Sequence, residues 1–112
     1  MATAYKILGR KQAAATTEET LYTAPASTEA VVSTIAIANL TAVDKTFRIA
    51  VKPSSTSSLA LEHYIAYDIT VGASDTTALT LGVTLATGNS ISVYASAATS
   101  VVFTAFGSEI TA

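Results

Sequence analysis

Apolar side chains recur at every second position over much of this chain, and the clearest run lies between Thr77 and Ser96. Leu79, Leu81, Val83 and Leu85 alternate with Thr80, Gly82 and Thr84, and beyond Ala86 to Ser90 the alternation resumes with Ile91 and Val93. A strand turns successive side chains to opposite faces, so a period of two predicts strands with one buried face and one face of Thr and Ser. The stretch reads as a hairpin whose inward row is Leu79 to Leu85 and Ile91 to Val93, with Tyr94 opposite. Gly88 suits a turn position with positive φ, and Gly82 within a strand predicts a bulge or a close backbone approach.

The same pattern, punctuated by turn residues, continues along the rest of the chain. Ala4 to Leu8 reads as a strand, followed by Gly9 and a polar, Ala-rich run to Glu19 that is too short to hold a helix alone. Residues 1–17 are therefore expected to form an extended N-terminal arm ahead of a sandwich domain spanning 18–112. Thr20 to Ala24 is a short strand stopped by Pro25. Ala30 to Leu40 places Val31, Ile35 and Ile37 on one face, and Asn39 to Asp44 supplies a turn. In Lys45 to Lys52, Phe47, Ile49 and Val51 point one way and Arg48, Ala50 and Lys52 the other. Pro53 and the SSTSS run form a loop.

Glu62 to Val71 sets His63, Ile65, Tyr67, Ile69 and Val71 against Tyr64, Ala66, Asp68 and Thr70. From Ser100 to Ile110, Val101, Phe103 and Ala105 alternate with Val102, Thr104 and Phe106. Eight strand candidates with regular turn signals predict an all-β fold, a single antiparallel sandwich of the jelly-roll kind.

Composition narrows what such a domain does. Only 12% of the residues are charged, against about 25% in an ordinary soluble domain. A surface this poor in charge is expected to be covered in use. The net charge of −2, with scattered basic residues, offers nothing to nucleic acid. No segment approaches the roughly 18 to 20 apolar residues of a membrane helix, and the N-terminus lacks a signal-peptide core. Without cysteine there is no disulfide, thiolate nucleophile or Cys-based zinc site.

Candidate chemistry is thin. His63 is the single histidine, with no nucleophile elbow elsewhere, and a lone His on an apolar strand face is ordinarily structural. The carboxylates are dispersed without a calcium-loop spacing, and the isolated glycines form no phosphate cradle. No enzymatic activity, cofactor or metal is expected. Tyr64, Tyr94, Val102 and Phe106, by contrast, fall opposite the inward rows, and Tyr5 and Ile7 lie on the arm. An apolar outer patch of this kind marks a subunit contact, so these six residues are the candidate interface. Exposed tyrosines also admit a second use, as a sugar platform on a host surface.

Several segments in order, AYKILG, TEETLYTAPAST, TFRIAVKP, EHYIAYD, LTLGVTLATGNSISVYAS and FTAFGSEI, resemble small virion structural proteins of tailed bacteriophages, notably those of cyanobacterial and marine phages. The resemblance runs over nearly the whole chain. It implies an all-β accessory protein of the particle, assembled in the host cytoplasm, with no catalytic residues. A capsid decoration (cement) protein is the first expectation, a symmetric homo-oligomer such as a trimer bound to the major capsid protein. A neck, collar, tail or baseplate component of the same particle is the alternative.

Overall fold

The computed structural model describes residues 2–12, 18–53, 61–97 and 101–111. Its eight strands are β1 (Ala2–Gln12), β2 (Glu19–Thr23), β3 (Thr28–Asn39), β4 (Lys45–Lys52), β5 (Tyr64–Val71), β6 (Thr76–Leu85), β7 (Ser90–Ala95) and β8 (Val101–Thr111), with one 3-10 turn at Leu61–His63. They form two antiparallel four-stranded sheets, the first in the order β1-β8-β3-β6 and the second in the order β2-β7-β4-β5. Strand pairs 1 and 8, 2 and 7, 3 and 6, 4 and 5 nest as in one long hairpin rolled over on itself. Only β4 and β5 are joined within a sheet, and every other connection crosses between sheets, which is the jelly-roll form of the sandwich.

The facing rows make one core. Val32, Ile35, Ile37, Leu85, Val101, Phe103 and Ala105 of the first sheet pack against Phe47, Ile49, Val71, Ile91, Val93 and Ala95 of the second. Phe47 and Phe103 meet edge to face across it, ring centroids 6.2 Å apart, the arrangement that the ring quadrupole favours. The alternation read from β4, β7 and β8 is the alternation observed.

Other expectations are corrected. The Thr77–Ser96 stretch is not a hairpin, because β6 pairs with β3 in the first sheet and β7 with β2 and β4 in the second. The intervening turn docks on Ala24 instead: Gly88 N donates to Ala24 O at 2.9 Å and Ala24 N to Asn89 O at 3.0 Å. An arch and a hairpin send the same alternating row into the core, so periodicity does not separate them. Leu85, Ile91 and Val93 are buried and Leu79 and Val83 partly so, while the Leu81 side chain lies outside the described residues. Gly82 does mark a bulge, with φ of 64° and a shift in the β3–β6 register beside it. Gly88 has φ of 86°.

Bulges also overturn two predicted faces. On β3 the register slips at Ser33, so Val32 points inward and Val31 outward. On β5 it slips twice, between Phe47 and Ile49 and again between Ile49 and Ala50 of the partner strand. Asp68 takes φ of 52° at the first slip. Tyr67 consequently turns to the outer face beside Arg48, Ile65 is exposed, and Ala66 packs against the core.

The N-terminal segment is not a free arm over its described part. Residues 2–12 pair with β8 along nearly their whole length, making β1 an edge strand of the first sheet. Two ion pairs hold it: Lys6 Nζ lies 2.6 Å from Glu109 Oε1 and Lys11 Nζ 3.2 Å from Glu19 Oε2. Gly9 permits β1 to close over β2, since a Cβ there would stand 2.3 Å from Leu21 O.

Candidate functional site

The six candidate interface residues do not share one patch. Tyr64 and Tyr94 belong to β5 and β7 on the outer face of the second sheet, whereas Tyr5, Ile7, Val102 and Phe106 belong to β1 and β8 on the outer face of the first. The two groups look away from each other across the thickness of the sandwich. Alternation shows that a residue points outward, but strand order decides from which sheet.

On the second sheet, the outer face centres on Arg48. Its Cζ sits 4.1 Å from the Tyr67 ring centroid and 4.3 Å from that of Tyr94, a guanidinium held between two π faces. Arg48 Nε also donates to Asp68 Oδ1 at 2.6 Å and Nη2 to Oδ2 at 3.3 Å. That bidentate contact lowers the Asp68 carboxyl pKa and raises that of the guanidinium. Tyr64 packs edge-on to Tyr67 at 4.9 Å, and its hydroxyl donates to Glu18 Oε1 at the opposite edge of the sheet. Tyr64 lies opposite Ala50 in register, and Ala50 opposite Ser92. The ring therefore passes over both small residues, and both are buried although they point outward. Burial first, and then the bond to Glu18, raise the Tyr64 pKa. Glu18 Oε2 is buried with no hydrogen-bond partner among the described residues.

The first sheet presents a different surface. Tyr5 is 86% exposed and Ile7 and Phe106 are also open to solvent. With Val31, Ser33 and Ser108 they border a shallow groove of about 490 Å³. Ile7 lies directly opposite Phe106, and Ser33 Oγ donates to Phe106 O at 3.2 Å, which fixes the bulge beneath the groove. Val102 lies farther along the same face, half-buried, opposite Ala38 and Gln12. Between Val102 and the groove the outward positions of the central strands, Thr34, Ala36, Ala38 and Thr104, are small and uncharged, and beyond the groove Glu29 lies opposite Ile110.

A third cluster ties the sheets together. Tyr22 of β2 donates its hydroxyl to Glu109 Oε2 of β8 at 2.5 Å, while Lys6 holds the other oxygen. The Lys6 bond and then the Tyr22 bond hold the Glu109 carboxyl below its ordinary range, and burial together with that carboxylate pushes the Tyr22 phenol up.

None of these clusters brings together a nucleophile, a base and a group to orient it. His63 closes the 3-10 turn ahead of β5, half-buried. Among the described residues no three of His, Cys, Asp and Glu gather closely enough to hold a metal ion. Sequence reasoning missed Tyr67, Arg48 and Asp68 as a unit, because without the β5 bulge Tyr67 reads as core. The signal that was present is Arg48 on the outer row of a strand otherwise rich in apolar residues. No protein-family model matches the chain, and neither the curated proteins nor the solved structures contain a match to it.

Proposed function

We propose that this chain is a structural protein of a tailed-bacteriophage particle, a capsid decoration protein that works by adhesion as a symmetric oligomer. The observation that carries this reading is the outer face of the first sheet, a broad surface of Ala, Thr, Val and Ser around the Tyr5, Ile7 and Phe106 groove. Faces of this breadth whose centre is free of charge are the surfaces that protein partners cover. The segmental resemblance to small virion proteins supports the particle as the setting, and jelly rolls recur in capsid proteins, which is an analogy of fold only.

A sugar platform on Tyr64 and Tyr94 draws less support. Both rings are engaged within the molecule, Tyr64 with Glu18 and Tyr67, Tyr94 with Arg48. A neck or tail position uses the same surfaces and differs in copy number. A quantified gel of purified virions tests the assignment: hundreds of copies per particle are expected for decoration. Six or twelve copies place the protein on the tail axis instead, and absence from the virion refutes the reading.

A further inference from the structure

The outer face of the first sheet carries an exposed charge at each of two distant corners. Arg10 pairs in register with Thr104, whose neighbours Phe103 and Ala105 are buried, so Arg10 points outward. Glu29 lies between buried Thr28 and Ala30, and it too points outward, opposite Ile110. Neither forms an ion pair with another described residue. On the second sheet, by contrast, Arg48 and Asp68 neutralise each other.

The spacing of these two charges matters. From the level of Thr104 to that of Ile110 is about 20 Å along β8 at the usual strand rise, and from β1 to β3 about 10 Å across. The midpoint of the Arg10–Glu29 line therefore falls on β8 at the level of Gly107, between Phe106 and Ser108. That is the middle of the apolar groove.

We propose that this face is a two-fold interface with a second copy of the chain. A two-fold axis lying in the interface plane, at the level of Gly107 and perpendicular to the Arg10–Glu29 line, sets each Arg10 over the partner's Glu29. The same operation lays the two grooves against each other. One surface then supplies an apolar centre and two opposite-charge pairs at its rim, as an isologous contact requires. A different protein would have to bring both charges, with reversed sign, at the same separation. A second copy brings them by construction. The proposal deepens the oligomer half of the reading above and rests on it only in holding that copies associate.

Sedimentation equilibrium of the full chain at low salt tests it, with far-UV circular dichroism to show that each variant keeps its β signal. The expected wild-type species has twice the 11.4 kDa chain mass. Arg10→Glu and Glu29→Arg should each weaken association about tenfold or more, because the axis turns one reversal into two like-charge contacts. The double variant should return to within about threefold of wild type, since the pairs are restored with their signs exchanged. Phe106→Glu, which places a charge beside the axis, should leave only monomer. A monomeric or trimeric wild type, or a double variant no tighter than the singles, overturns the interface. A dimer in solution with no copies in the virion overturns the particle reading alone.

Discussion

Asn39 is the residue on which the loop end of the sandwich depends most. It closes β3 at 3% exposure, and its side chain joins two loops. Nδ2 donates to Val43 O at 2.8 Å, Gly72 O at 3.1 Å and Val71 O at 3.2 Å, while Oδ1 accepts from Thr41 N at 3.0 Å and Thr41 Oγ1 at 2.8 Å. The amide has two hydrogens for three acceptors, so about four bonds are made at once, each contributing roughly 0.5–1.5 kcal/mol net. Water can re-solvate the exposed Val43 side of the loop but not the Val71 carbonyl. Asn39→Ala should therefore cost about 3 kcal/mol. Asn39→Asp, with the same shape, should cost more at neutral pH, about 4–5 kcal/mol, because an ionised carboxylate cannot donate and faces three carbonyl oxygens. Urea unfolding followed by far-UV circular dichroism reads both, and a loss of about 3 kcal/mol lowers the melting temperature by about 10 to 20 °C in a domain of this size. The slope against urea should stay constant, since the surface exposed on unfolding does not change. An aspartate variant as stable as wild type at pH 7, or both variants within about 1 kcal/mol of it, would show that Asn39 is not the tie its geometry indicates.

Three further outcomes follow from single contacts. At Gly107 an added Cβ would stand 1.9 Å from Val31 O, so Gly107→Ala must part β3 from β8 and should abolish folding or cost well over 3 kcal/mol; Gly82→Ala, at φ of 64° with open space around it, should cost only about 1 kcal/mol. Both are scored by the urea midpoint. Glu109 has a folded pKa below its unfolded value, so the stability it contributes is fully present above about pH 4.5 and is lost as pH falls through the folded value. Glu109→Gln should accordingly show a smaller drop in urea midpoint between pH 6 and pH 3 than wild type, and equal drops would discard the Lys6–Glu109–Tyr22 tie. Tyr64→Phe keeps the ring over Ala50 and Ser92 but loses the donor to Glu18, a cost of about 1–2 kcal/mol; Tyr64→Ala should in addition speed amide exchange along the β4–β7 ladder, and unchanged exchange would show that the ring does not shield it.

What could be read from the sequence tracks where the backbone stays regular. β4 and β8 keep strict alternation through Phe47, Ile49 and Val51 and through Val101, Phe103 and Ala105, and their faces followed directly. On β3 and β5 an extra residue reverses the phase, and neither Ser33 nor Asp68 announces it; only Gly82 has the composition of a bulge. Sheet membership was hidden for a related reason. In a sandwich both sheets send the same alternating rows into one core, so Tyr94 and Phe106 look alike in sequence while lying on opposite outer faces. The Arg48–Asp68 pair joins residues 20 positions apart and the Asn39 tie to Val71 and Gly72 residues 32 and 33 apart, and no local spacing encodes them.

The same bulges bear on how copies can meet. β1, β6, β2 and β5 are the four edges of the two sheets, and each has a register shift within it, at Leu8, at Leu81 and Gly82, at Leu21, and twice on β5. A bulge twists an edge and interrupts the row of free N–H and C=O groups that another strand would need, which is how sheet proteins discourage edge-to-edge growth. Residues 2–12, the described part of the expected N-terminal arm, are already paired with β8, and Lys6 ties them to Glu109 of β8 and Lys11 to Glu19 of β2. Association is thereby directed from edges to faces. Of the two outer faces, the second is closed by its own Arg48 and Tyr64 contacts. The first keeps Tyr5, Ile7 and Phe106 exposed between Arg10 and Glu29, neither of which pairs with another described residue, so self-assembly should weaken on reversing either charge alone and be unaffected by substitutions on the second sheet's edges, β2 and β5.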